Sequence, residues 1–197
     1  MASALPKTRF TPEQYLAWER KAGFKSEYYD GYITAMAGAS RAHNRIAGNM
    51  YRKISDQLEN RACEAFISDL RLCVSPTGLY TYPDVMALRG EALFQDDEVD
   101  TLLNPMVIVE VLSPTTELYD RGAKFGHYRR LDSLKEYVLV AQNRVLVERF
   151  TRQGDDWLLS ALNDFDYTLR LVSIDCSVPL REIYARVDFS EEETRET

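Results

Sequence analysis

Three residues between positions 84 and 124 have the types and settings expected of a catalytic centre. Glu110 lies inside the apolar run Met106–Leu112, which predicts a strand that is buried on both faces. A lone carboxylate in such a strand costs several kcal/mol unless a cation or a hydrogen-bond network compensates it. A metal ion is the simplest compensation, Asp84 is a candidate second ligand, and Lys124 follows on the next predicted helix.

The spacing of the two carboxylates predicts a shared ion. Asp84 falls on a predicted strand, Leu79–Leu88, and Glu110 on the next, and adjacent strands lie about 4.8 Å apart. Hard oxygen ligands without histidine or cysteine favour Mg²⁺ or Mn²⁺ over zinc. The backbone carbonyl of Val111 could supply a further ligand, and Lys124, about two turns into its helix, could point back over the carboxylates.

Each of these residues also has a purely structural interpretation. Glu110 could pair with a buried lysine or arginine, and Asp84 could be an ordinary turn or strand-end residue. Lys124 comes four residues after Asp120, a spacing that is typical of an ion pair on a helix surface.

The elements that must position these residues predict an α/β fold, with a mixed sheet of the α+β kind. Thr11 followed by Pro12 and Gln14 predicts a capped helix start. Asp30-Gly31 between aromatic residues predicts a tight hairpin. The first half of the chain is thus expected to hold two helices and an antiparallel meander: Pro12–Lys21, Lys25–Tyr29, Tyr32–Ala37, Arg41–Asn60, Cys63–Ile67, Leu70–Val74 and Leu79–Leu88.

The second half predicts a β-α-β crossover flanked by helices. Ser113-Pro114 ends the buried strand, and a helix continues to about Leu131, with an inner face of Leu118, Gly122 and Phe125. Glu136–Ala141 predicts a strand parallel to Met106–Leu112, because a helix joins the two. The remaining predicted elements are Arg144–Phe150, Trp157–Ala161, a strand near Tyr167–Leu171 and the helix Pro179–Ala185.

Length and composition limit the class of protein. A chain of 197 residues predicts a single domain, here residues 10–187, between a flexible tail at 1–9 and an acidic disordered tail at 188–197. The sequence contains no run of about 18 apolar residues, so no membrane span is predicted. The N-terminus lacks the apolar stretch that a signal peptide needs. With three cysteines that form no CxxC pair, these features predict a cytoplasmic protein with reduced thiols.

The net charge of −7 argues against a general nucleic-acid coat, which would be basic. It does not exclude an enzyme that acts on nucleic acid through a bound metal and a local basic patch. Such a patch is expected within positions 121–130, which contain four cations and no acid: Arg121, Lys124, Arg129 and Arg130.

Several motifs together resemble a known family. They are Glu27, Asp30-Gly31, His43-Asn44, Tyr82-Pro83-Asp84, Val109-Glu110-Val111-Leu112-Ser113-Pro114 and Asp120…Lys124…Tyr128. This pattern, over residues 10–186, is similar to the Uma2 (DUF820) family of the PD-(D/E)XK nuclease superfamily. One position departs from the superfamily, since the third motif residue is Leu112 rather than lysine, and Lys124 fits the place to which the lysine has moved in Uma2-like proteins.

The resemblance implies a restriction-endonuclease-like core and Mg²⁺-dependent hydrolysis of DNA phosphodiester bonds. Asp84 and Glu110 would hold the metal, and Lys124 would orient the attacking water or offset charge on the phosphate. Glu27 would add an outer-shell or second-metal carboxylate, and His43 would contact substrate or transfer a proton. The structural alternatives are a cross-strand ion pair for Glu27, and a helix cap or a bond to a neighbouring carboxylate for His43.

Two other classes of function remain open. A non-catalytic DNA-binding or regulatory protein could retain the nuclease scaffold, and the hairpins within Arg144–Ala161 could serve an interaction module. A homodimer would suit cleavage of both DNA strands, by analogy with the fold.

Overall fold

The computed structural model describes residues 9–189, which form two large sheets, a two-stranded sheet and five α-helices. The strands are β1 Ser26–Tyr29, β2 Tyr32–Ala35, β3 Cys63–Ile67, β4 Arg71–Val74, β5 Leu79–Thr81, β6 Val85–Arg89, β7 Thr101–Leu102, β8 Val107–Leu112, β9 Glu136–Ala141, β10 Val147–Gln153, β11 Asp156–Leu162, β12 Thr168–Leu171 and β13 Cys176–Pro179. The helices are α1 Pro12–Glu19, α2 Arg41–Leu58, α3 Glu117–Tyr119, α4 Phe125–Tyr128 and α5 Leu180–Ile183, with a π-helical turn at Asp120–Lys124.

The six-stranded sheet has the order β11-β10-β9-β8-β6-β3, with β8 and β9 near its centre. All residues of both strands are buried, and the two are parallel, as the intervening helix predicted. Its other pairs, including β6 with β8, are antiparallel. The predicted α/β class with mixed sheets and a β-α-β crossover is confirmed.

The two faces of β8 enter different hydrophobic clusters. Val107, Val109 and Val111 belong to the cluster that also contains the apolar stripe of α2, which is Ile46, Met50, Ile54 and Leu58. Ile108 and Leu112 belong to a second cluster, together with Tyr128 and Tyr137. Because side chains alternate along a strand, Glu110 points to this second side of the sheet.

The predicted strand Leu79–Leu88 is wrong as a single element. It is divided into β5, in the five-stranded sheet of order β2-β1-β5-β4-β7, and β6, in the six-stranded sheet. Pro83 lies between them and has no N–H to donate to a ladder, which disfavours it in the middle of a central strand. Asp84 is therefore in the link between two sheets, immediately before β6.

The hairpin β1–β2 forms as predicted around Asp30-Gly31. Both turn residues have positive φ, 47° at Asp30 and 84° at Gly31, as a tight two-residue turn requires. A Cβ at Gly31 would approach Cβ of Arg9 to 2.9 Å, so glycine is also required by the packing.

The helical segment after β8 differs from its prediction. It begins with α3, widens into the π turn and ends with α4 at Tyr128, before the predicted limit at Leu131. Of the predicted inner face only Phe125 is partly buried, whereas Leu118 is 88% exposed and Gly122 is exposed. The fully buried positions of the segment are polar or amphipathic: Asp120, Lys124 and Tyr128.

Further differences lie in the loops and near the C-terminus. The predicted loop at 89–104 contains the short strand β7, and β12 pairs with β13, a strand the sequence did not predict. The tails predicted at 1–9 and 188–197 fall mostly on residues 1–8 and 190–197, outside the described residues. Phe189 packs on Tyr184. The three cysteines are free thiols, and none of the helices in the described range is long and apolar enough to cross a membrane.

Candidate active site

Glu110 is held in the middle of β8 by two donors. The residue is 4% exposed, the hydroxyl of Tyr128 donates to its Oε1 at 2.7 Å, and Nζ of Lys124 lies 3.0 Å from the same oxygen. Glu110 therefore does pair with a buried lysine, which was the structural alternative for this residue.

Lys124 is surrounded by carboxylates. Its Nζ lies 3.0 Å from Glu110, 3.3 Å from Asp120 and 3.4 Å from Glu27, and the residue is 5% exposed. The pair with Asp120 has the i, i+4 spacing noted in the sequence, but it is buried and shared with two other acids. Lys124 points toward the carboxylates, as expected from its place on the helix.

Asp84 lies across from Glu110, because Val85 of β6 pairs with Val109 of β8. Its Oδ2 accepts a hydrogen bond of 2.7 Å from the backbone N–H of Val111 and lies 3.2 Å from Nε2 of His43. Asp84 is therefore oriented by both β8 and α2.

His43 reaches this position from the first turn of α2. The N-cap residue Ser40 accepts from the backbone N–H of His43 at 3.0 Å and donates to Gln142, just after β9, at 2.7 Å. The start of α2 is thus fixed to the end of a central strand. Of the two structural alternatives for His43, the structure shows the contact with a carboxylate, Asp84, and assigns the cap to Ser40.

Glu27 comes to the same cluster from the other sheet. It lies on β1, accepts a hydrogen bond of 2.5 Å from the hydroxyl of Thr81 on β5, and lies 3.4 Å from Lys124. Its neighbour on β2 is Thr34, which is uncharged, so the alternative of a cross-strand ion pair between β1 and β2 is wrong.

The cluster carries an excess of negative charge. Three carboxylates, those of Glu27, Glu110 and Asp120, surround Lys124, and a fourth, that of Asp84, lies across from Glu110. Burial, with further contributions from Asp120 and Asp84 and opposed by Lys124, raises the pKa of Glu110 to about 8. Burial also raises the pKa of Asp120. Although burial lowers the pKa of Lys124, its acidic neighbours raise it well above its ordinary value, so the lysine is a fixed cation.

The donor set is compatible with a hard divalent cation. Asp84 and Glu110 each use one oxygen for their contacts within the described residues, Oδ2 in Asp84 and Oε1 in Glu110. The other oxygen of each carboxylate is left for a further ligand. Within residues 9–189 no three His, Cys, Asp or Glu side chains are grouped so as to hold a metal by themselves. Mg²⁺ commonly binds through one or two carboxylates and keeps several waters, so two carboxylates suffice.

Comparison with known proteins places the chain in a family. The Uma2 family, described as "Putative restriction endonuclease", matches residues 12–178. The chain belongs to the Uma2 family. Two uncharacterized Synechocystis sp. (strain ATCC 27184 / PCC 6803 / Kazusa) proteins are similar to it: sll1609 is 40% identical, covering 77% of this chain and 86% of the relative, and slr1290 is 36% identical, covering 93% and 96%.

A solved structure shares the fold. It is a "putative nuclease belonging to DUF820" from Anabaena variabilis ATCC 29413, with a TM-score of 0.72 over 89% of this chain and 98% of that chain. The two sequences are only 17% identical, so this likeness concerns the fold alone.

The sequence-predicted basic patch of this Uma2 chain is not a continuous cationic surface. Lys124 is buried, and Arg121 is bound to Glu117 at 2.8 Å and to Glu148 at 2.5 Å. Arg129 and Arg130 alone among the four predicted cations are exposed.

Asp120 and Tyr128 also belong to the cluster, although the sequence predicted for Asp120 only an ion pair with Lys124 on the helix surface and for Tyr128 no role. Asp120 is 3% exposed and faces Lys124, and Tyr128 is fully buried against Glu110. Their four-residue spacing on either side of Lys124 is the signal that would have found them, since residues four apart share a helix face.

Proposed function

We propose that this Uma2 chain is a Mg²⁺- or Mn²⁺-dependent endonuclease that hydrolyses DNA phosphodiester bonds. The observation that carries the proposal is the buried Glu110, directly across from Asp84 and 3.0 Å from a fixed lysine cation. Two carboxylates that face each other beside a lysine are the parts that metal-assisted hydrolysis of a phosphodiester needs.

Asp84 and Glu110 are the proposed metal-holding residues, with the backbone carbonyl of Val111 as a further candidate. A bound Mg²⁺ supplies a Lewis acid for the phosphoryl oxygen and lowers the pKa of a coordinated water. The chain fixes both carboxylates through groups that do not move easily, namely the backbone N–H of Val111, the hydroxyl of Tyr128 and the ring of His43.

Lys124 is proposed to stabilise negative charge that develops on the phosphate and to orient the attacking water. Because it is 5% exposed, its charge acts within a poorly solvated cluster, where electrostatic interactions are stronger than in water. Glu27 holds Lys124 from the opposite sheet and is proposed as an outer carboxylate. His43 is proposed to orient Asp84 and to exchange protons with substrate or solvent.

The first experiment combines metal binding with cleavage. Calorimetric titration of Mg²⁺ and Mn²⁺ into wild type, Glu110→Gln and the exposed control Asp97→Asn is paired with a plasmid-nicking assay. We expect Glu110→Gln to lose both metal binding and nicking, and Asp97→Asn to lose neither.

Other outcomes separate the alternatives. Metal binding without cleavage of a plasmid would point to a specific or modified substrate, and metal binding without cleavage of plasmid or single-stranded DNA would favour a DNA-binding or regulatory protein that retains the scaffold. A folded wild type that binds neither metal would reject the mechanism. A homodimer, which would present two such sites to two strands, is tested separately by sedimentation equilibrium.

A further inference from the structure

The outer face of the β1–β2 hairpin carries two exposed tyrosines. Tyr29 is 46% exposed and Tyr32 is 56% exposed. The two are directly opposite in the ladder, and opposed residues of an antiparallel pair project from the same face. We call these two side chains the tyrosine pair.

The tyrosine pair adjoins the carboxylate cluster along two elements. Glu27 lies two residues before Tyr29 on the same face of β1, a separation of about 7 Å along the strand. His127 lies three residues after Lys124, and its ring centroid is 4.5 Å from that of Tyr29. The tyrosine pair therefore lies beside the proposed catalytic site.

The chemistry of this surface suits a planar, electron-rich ligand attached to a negatively charged backbone. The guanidinium of Arg9 lies over the ring of Tyr32, 5.7 Å from its centroid. Aromatic side chains beside cations are the usual means of binding single-stranded nucleic acid, because every base has a face that can stack on a ring. In a duplex the base faces are already stacked, so only an unpaired base offers one.

Self-association is the competing use of exposed aromatic residues. Two tyrosines bury at most about 150–250 Å² each, whereas a stable interface buries about 800 Å² per partner. The exposed cation beside the pair, Arg9 over the ring of Tyr32, instead favours a ligand that carries phosphate.

We propose that the tyrosine pair stacks an unpaired nucleobase adjacent to the scissile phosphate, so that the substrate is single-stranded or locally unpaired DNA. This inference rests on the proposed nuclease function and specifies its substrate class. It assigns the pair to substrate binding and gives it no part in bond cleavage.

The test compares strands that differ only in their bases. Fluorescence anisotropy in EDTA, where no cleavage occurs, measures binding of a labelled 12-nucleotide oligothymidylate, a wholly abasic strand of equal length, and a 12-base-pair duplex. We expect Tyr32→Ala to weaken oligothymidylate binding about tenfold and to leave the abasic strand and the duplex unchanged. Tyr32→Phe, which keeps the ring, should bind as wild type does.

Matched controls keep the outcome interpretable. Tyr167, 49% exposed and distant in sequence from the site, serves as the control tyrosine, and Tyr167→Ala should change none of the three affinities. The proposal is overturned if wild type binds oligothymidylate no tighter than the abasic strand, or if Tyr32→Ala weakens all ligands equally. A loss of oligomer mass in Tyr32→Ala by sedimentation velocity would instead identify a self-association surface and would also overturn it.

Failure of this inference is distinguishable from failure of the proposed function. Nicking that survives Glu110→Gln would reject the proposed site, whereas the stacking preference is measured without cleavage and is independent of it.

Discussion

Replacing Lys124 with methionine should destabilise the fold strongly. The substitution keeps most of the buried volume and removes the cation that faces three carboxylates at 3.0, 3.3 and 3.4 Å. At an effective dielectric constant of about 20, each contact is worth roughly 5 kcal/mol before the cost of burying the charges is subtracted. Breaking a buried pair from one side costs about 3–5 kcal/mol, and we expect a loss of that size.

The loss can be measured by urea unfolding followed by circular dichroism in metal-free buffer. For a chain of this length, a loss of about 3–5 kcal/mol corresponds to a fall of roughly 6–20 °C in the melting temperature. Lys135→Met is the control, at an exposed lysine whose Nζ donates to the backbone carbonyl of Asp132, and should stay within about 0.5 kcal/mol of wild type.

A double-mutant cycle shows whether the destabilisation comes from the pair. Adding Glu110→Gln to Lys124→Met removes one of the carboxylates left without a cation, so the double variant should recover part of the lost stability. A cost below about 1 kcal/mol for Lys124→Met, or no recovery in the double variant, would refute the picture of a lysine compensating a carboxylate cluster.

Three further predictions use other parts of the chain. Tyr128→Phe removes the hydroxyl that donates at 2.7 Å to the buried carboxylate and should cost about 1–3 kcal/mol in urea unfolding. Asp100, whose pKa is lowered to about 2 by its hydrogen bonds with Arg20, contributes stability above its unfolded pKa that is lost as pH falls from about 4 to 2. The melting temperatures of wild type and Asp100→Asn should therefore converge over that range, and a constant difference would contradict this. Gly31→Ala should cost about 1–3 kcal/mol because of its positive φ and the contact with the preceding chain, whereas Gly38→Ala, with open space and no such φ, should be nearly neutral.

Local sequence signals predicted the parts of the fold that depend on neighbouring residues. Asp30-Gly31 gave the hairpin, the apolar run around Glu110 gave the central strand, and the helix between two apolar runs gave their parallel pairing. Pro83 carried the signal that divides β5 from β6, but the apolar residues on both sides of it favoured one strand.

The rest of the site depends on contacts that no local pattern contains. Hydrophobic periodicity detects only apolar helix faces. The buried face of the helical segment after β8 is instead occupied by an acid, a lysine and a tyrosine, so the pattern did not predict it. The contacts between Glu27 and Lys124 and between His43 and Asp84 join residues far apart in the chain. Only the family resemblance brought these four residues together before the structure did.

The cluster around Lys124 draws its acids from both large sheets, with Glu27 on the five-stranded sheet and Glu110 on the six-stranded one. Neither sheet alone contains the whole cluster, so the cluster can form only after the two sheets have docked. Loop closure over such long sequence separations is slow, which makes assembly of the cluster a late event in folding. Recovery of the cluster around Lys124 during refolding would therefore report completion of the whole fold.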